Sequence, residues 1–292
     1  MTILIPTTRY NIRIFSTPDQ TSMLQTELPR GRGRPKAHHV DQLRTRTWFF
    51  GVLHVSGLPS AYAIEMRLDG DLVRKRDVDV ARPRKWDGYK KGKKVPYDKP
   101  GPRNSITQAE AVFPGTARWF RSPLWSVLRG DEFNQIQIEE ALRSLDPVVV
   151  SLLFENEPSQ YEDQPRLAPF DHGSRRLLTT IADKSPSAAA RFDALVAMVL
   201  LAKLSEAISS PELRELIAQT FAEIQEPLRK SPVLSEVYPE LFPLIRFHCR
   251  NWIHVATTQR MEVSFAIEGE ALKPNEAFSE LHAMLVNWVE NP

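Results

Sequence analysis

Apolar residues recur at helical spacing along most of the chain, broken by turn residues into short runs. Trp48, Val52 and Val55 share one helical face, with Phe49 and Leu53 on an adjacent one. A strand is the alternative for this run, because it is rich in aromatic and β-branched residues. Gly57 reads as a helix stop, and Ser60 as the cap of a second helix carrying Ala61, Ile64, Glu65 and Leu68. Asp69-Gly70-Asp71 ends it. Pro83 opens a short third helix that Gly92 closes, and Pro96 stops any continuation. A fourth starts at Ser105 or Thr107 and ends before Pro114-Gly115, and Thr116 begins an aromatic-dense piece, TARWFRSPLWSVL.

Further helices follow Asp131 (Phe133, Ile136, Ile138 and Leu142) and Pro147, after which residues 156–172 form a Pro-rich loop. Ser185-Pro186 and Ser210-Pro211-Glu212 each place a cap and a first-turn proline before a long apolar run. Another helix is expected from Leu241 to Thr257, and a last one after Asn275, with Phe278, Leu281, Leu285 and Trp288 on one side. Only MEVSFAIE, with Met261, Val263, Phe265 and Ile267 alternating, carries a clear strand signal; TRYNIRIF fits a short one. The expected fold is mainly α. A flexible basic tail (1–40) leads into a small basic helical unit (41–130), then an acidic helical domain (131–292) with at most a minor strand element.

Charge sharpens that division. The net charge of +2 over 292 residues hides +13 in residues 1–130 and −11 in residues 131–292. A basic half joined to an acidic half points to a polyanionic partner, or to mutual attraction of the halves. A single cysteine, Cys249, excludes an intrachain disulfide framework. MTILIPTTRY has no basic region before its apolar run, and ALVAMVLLA is too short to span a bilayer, so a cytoplasmic protein away from membranes is expected.

Two stretches carry candidate chemistry. Arg30 and Gly31 precede Arg32-Gly33-Arg34-Pro35-Lys36. An extended Arg-Gly-Arg-Pro core fits the narrow, negative A·T minor groove, and this segment resembles the AT-hook. Tyr89-Lys90-Lys91-Gly92-Lys93-Lys94-Val95-Pro96 resembles the end of the third helix of lambda-repressor-like helix-turn-helix domains, where an aromatic is followed three residues on by Gly and seven on by Pro. That resemblance implies a core aromatic, a glycine-terminated helix and a turn set by proline. It implies that Arg82, Arg84, Lys85 and Lys90 lie on or near a groove-entering helix, with Lys91, Lys93 and Lys94 at phosphate. A basic surface loop without sequence reading is the alternative. Trp119, Phe120 and Trp125, beside Arg118 and Arg121, suit base stacking or, in the favoured reading, the core.

His248, Cys249 and His254 are badly spaced for a metal on one helix face, and His38-His39-Val40-Asp41 is only a short cluster. No motif of a nucleophile elbow, phosphate loop, dinucleotide fold or zinc protease occurs, so no cofactor is expected and the reading leans away from an enzyme. The leading expectation is a nucleic-acid-binding accessory or regulatory protein, DNA favoured over RNA. Its helical C-terminal half would serve dimerisation, sensing or a protein partner. The alternatives are a protein-interaction component and an enzyme without a local motif.

Overall fold

The computed structural model describes residues 9–16, 37–70, 84–99, 101, 104–155, 164–249, 252–256 and 259–266. Among these the chain is mainly helical. Twelve helices run in order: α1 (His39–Ser56), α2 (Ala61–Asp69), α3 (Lys85–Lys90), α4 (Ser105–Val112), α5 (Ala117–Arg121), α6 (Leu124–Arg129), α7 (Gln135–Arg143), α8 (Pro147–Leu153), α9 (His172–Lys184), α10 (Ala188–Ala207), α11 (Pro211–Lys230) and α12 (Tyr238–His248). Strands β1 (Arg9–Ser16), β2 (Trp252–Ala256) and β3 (Gln259–Ala266) form an antiparallel sheet of order β1-β3-β2. The expected helix after Asn275 and the segment Arg30–Lys36 lie outside the described residues.

The chain divides differently from the expected boundaries at residues 40 and 130. One unit is Arg30–Cys249; the other combines Met1–Pro29 with Arg250–Pro292. Within the first unit the core passes straight through residue 130. Leu124, Trp125, Val127 and Leu128 of α6 are buried, and α6 packs against both α1 and α10. A basic helical unit ending at 130 would leave open the side of α6 that packs on α10. In the second unit β1 occupies part of the expected tail and pairs with β3, Ile12 opposite Val263. The helix expected through Thr257 stops at His248, and Trp252–Ala256 is instead a strand paired with β3.

Local chemistry explains where the helices start. Ser60, Ser187 and Ser210 each accept the backbone N–H three residues on, and Asp146 accepts from Val148 ahead of Pro147. Asn134 caps α7 through a capping box with Gln137. Asn104 caps α4, accepting from both Ile106 and Thr107. Helix α9 lies in a stretch with no predicted element; Asp171 caps it and Leu178 and Ala182 are its buried positions.

Helix α10 is buried on nearly every side and packs against α6, α7, α8, α9, α11 and α12. A helix apolar all round is a core helix. A second focus is aromatic: Trp48 of α1 meets Trp86 at 5.2 Å, Tyr89 at 5.5 Å and Phe120 at 6.0 Å between ring centroids. Gly51 is what lets α5 close on α1. A Cβ there would lie 2.4 Å from Trp119 Cε3, so the indole rests directly on the helix backbone. Among the described residues no helix is long and apolar enough to cross a membrane.

Candidate nucleic-acid interface

The basic segment 84–99 is built around α3, which is only six residues long. Trp86 and Tyr89, three apart, point inward and are buried. The Tyr89 hydroxyl lies 3.1 Å from Ser105 Oγ, which ties α3 to α4. With that face spent on packing, Lys90 at the end of α3 is left exposed.

The start of α3 is held by α2. Arg84 adopts a left-handed conformation (φ 47°) and offers no side-chain cap. The cap comes instead from buried Glu65, whose Oε1 accepts the Lys85 backbone N–H at 2.9 Å. Lys85 Nζ donates to Asp69 Oδ1 at 2.7 Å. Lys85 is therefore spent on an internal ion pair and does not extend toward a partner as the helix-turn-helix resemblance implies.

The end of α3 answers the lysine-rich sequence directly. Gly92 is left-handed (φ 64°), its N–H donates to Tyr89 O at 3.0 Å, and the Lys93 N–H donates to Gly88 O at 2.9 Å. These two bonds define a Schellman C-cap. Lysines beside a helix C-terminus also complement its negative end. Gly88 is small because the Lys94 stem lies across it: a Cβ on Gly88 would come 2.8 Å from Lys94 Cδ.

Beyond the cap, residues 95–98 form an irregular strap. Pro96 is buried while Val95 and Tyr97 are 39% and 56% exposed. Asp98 fixes the far end. Arg121 donates to it through Nε at 3.1 Å and through a terminal nitrogen at 2.8 Å, and the Asn104 side-chain amide adds a third bond at 3.1 Å. The Arg121 hydrogen bond holds the Asp98 carboxyl below the ordinary range and raises the guanidinium in turn.

The segment 84–99 holds seven basic residues against two acidic ones, a net charge of +5. Arg84, Lys90, Lys91, Lys93, Lys94 and Lys99 are all exposed. None forms an ion pair with a described residue. Of the residues singled out by sequence, the structure thus brings Arg84, Lys90, Lys91, Lys93 and Lys94 to one outward-facing segment. Arg30, Arg32, Arg34, Lys36 and Arg82 lie outside the described residues. Sequence reasoning missed Lys99 and Tyr97; the signal available was the alternation of Val95 and Tyr97 about Pro96.

Trp119, Phe120 and Trp125 are each 2% exposed and belong to the core, with Trp125 Nε1 donating to Trp119 O at 2.7 Å. Tyr89 is buried, Gly92 ends α3 and Pro96 is buried beyond it, but 15 residues separate the end of α2 from the start of α3, more than the tight turn of a helix-turn-helix. A helix of six residues is only about 9 Å long, too short to lay more than one turn in a groove.

Among the described residues no group of three His, Cys, Asp or Glu side chains is placed to hold a metal. Cys249 is buried, and burial pushes its thiol up to about 12. No family model matches the chain, and no curated protein or solved structure matches it either.

Proposed function

We propose that the chain binds nucleic acid, DNA in preference to RNA, through the basic segment 84–99 together with the hook-like Arg32-Gly33-Arg34-Pro35. The observation that carries this reading is the set of exposed lysines at 90, 91, 93, 94 and 99, none paired with a described carboxylate. Unpaired ammonium groups displayed on a capped turn suit phosphate, which is read by charge and position rather than by base identity. The preference for DNA rests on the hook-like core and its fit to the A·T minor groove. The short α3 favours contact with the backbone over reading of base edges. In this reading the acidic helices serve dimerisation, sensing or a protein partner.

The test is fluorescence anisotropy of a short, labelled A·T-rich duplex titrated with the full chain over a range of salt concentrations. Tight binding that weakens steeply with salt is expected. Lys90→Ala with Lys93→Ala should lower the affinity across sequences. It should also reduce the slope of log K against log salt by about one for each phosphate no longer neutralised. An unaltered slope would remove these lysines from the interface, and no binding at low salt would sink the reading.

A further inference from the structure

A single exposed aromatic on a protein surface needs no explanation. Tyr97 differs in three respects. It is 56% exposed, and it makes no hydrogen bond, ring contact or ion pair with a described residue. It also sits on a strap clamped at both ends, by the Lys93 and Lys94 amides on Gly88 O and by Asp98 on Arg121 and Asn104. The ring is therefore presented by a backbone already fixed, and little ordering is left to oppose binding. Third, the residues around it in sequence are Lys93, Lys94 and Lys99, unpaired among the described residues, with exposed Val95 two positions away.

An aromatic face among lysines is the arrangement that takes an unpaired base: the ring stacks on the base and the ammonium groups follow the backbone. Duplex DNA keeps its base faces stacked on one another and offers them no access. We infer that the strap 93–99 holds a single-stranded DNA segment, with Tyr97 as the stacking platform and Lys93, Lys94 and Lys99 as phosphate contacts. This rests on the nucleic-acid reading above and specifies the state of the strand at this part of the interface.

The experiment compares a labelled oligothymidylate with a duplex of equal length, each titrated with the full chain, its Tyr97→Ala variant and its Tyr97→Phe variant. Tyr97→Ala should weaken single-strand binding by about 5- to 100-fold and leave duplex binding within about twofold, because only the unpaired base uses the ring. Tyr97→Phe keeps the π face and should bind like the parent. The inference is overturned if Tyr97→Ala leaves single-strand affinity unchanged or weakens both substrates equally. In either case, continued salt-dependent binding by the parent would leave the nucleic-acid reading standing. A parent chain that binds neither substrate overturns both.

Discussion

Two sets of basic side chains, the arginines of α1, α5 and α6 and the lysines of segment 90–99, dispose of their charge in opposite ways. On α1, α5 and α6 the carriers are arginines, and each has an acceptor within the fold. Arg46 pairs with Glu240, Arg129 with Asp41 at 2.6 Å, Arg121 with Asp98, and Arg118 with both Asp193 and Asp146. Arg44 donates to Phe120 O and lies 3.9 Å from that ring's centroid. On segment 90–99 the carriers are lysines, and none has a described partner. A planar guanidinium forks onto carboxylates and rings, whereas an ammonium on a long stem stays hydrated and mobile. Mutual attraction of the halves is carried by Arg46 and Arg118, which join the basic half to the acidic half, while the lysines of 90–99 pair with no described residue.

The sharpest way to break this contrast is to remove the arginine that reaches deepest. Arg118 donates to Asp193 Oδ2 at 2.5 Å, and the same oxygen accepts the Asp146 backbone N–H at 2.7 Å. Arg118→Ala would leave a carboxylate with 6% side-chain exposure facing a single N–H. The loss should be about 3 kcal/mol at neutral pH, the low end for a broken buried pair because Arg118 itself is partly exposed. Urea denaturation reads it directly. A midpoint equal to the parent's would mean that the arginines, like the lysines, are solvated charge.

Asp193 supplies the next test. Burial outweighs Arg118 and raises its pKa from 3.8 to about 6. The fold therefore favours the protonated acid. Its stabilising contribution is complete below 3.8 and is lost as pH rises through about 6, a difference of roughly 3 kcal/mol. His248 runs the other way. Burial lowers it from 6.5 to about 4, so its contribution is complete above 6.5 and is lost as pH falls through 4. The two slopes oppose each other over the same window. Asp193→Asn should unmask the histidine, giving a variant that loses stability more steeply than the parent as pH falls from 6 to 4. Parallel stability profiles for parent and variant would refute the burial argument.

What can be read in the sequence follows the range of the forces involved. Ser60, Asp146-Pro147 and Ser210-Pro211 announce their helices because a cap acts within three residues. Gly92 and Pro96 announce the end of α3 for the same reason. Helix α9 escapes sequence reading because only Leu178 and Ala182 of its thirteen residues are buried, too narrow a stripe to stand out after a Pro-rich loop. Trp252–Ala256 reads as helix in isolation because its strand state depends on pairing with β3. Gly51 looks like a helix defect until Trp119, far along the chain, is laid against it. The lysines of the candidate interface are visible as composition. Tyr97 shows only as one of two residues flanking Pro96, and its presentation depends on Asp98 meeting Arg121, 23 residues away.

The smallest expected effect on stability separates the two regions most cleanly. Lys90→Ala with Lys93→Ala removes two exposed charges that touch no described carboxylate. The Schellman bonds use backbone groups and Gly92, which the double variant keeps. Only the favourable interaction of the lysines with the helix end is removed. For exposed groups that interaction is worth about 0.3–1 kcal/mol apiece at low ionic strength, and salt screens it. At moderate salt the denaturation midpoint should therefore stay close to the parent's, with a stability change within about 0.5 kcal/mol. If the same variant loses DNA affinity while its midpoint holds, the lysines serve a partner and not the fold. If the midpoint falls as far as it does for Arg118→Ala, these lysines are structural, and the contrast between the two regions disappears.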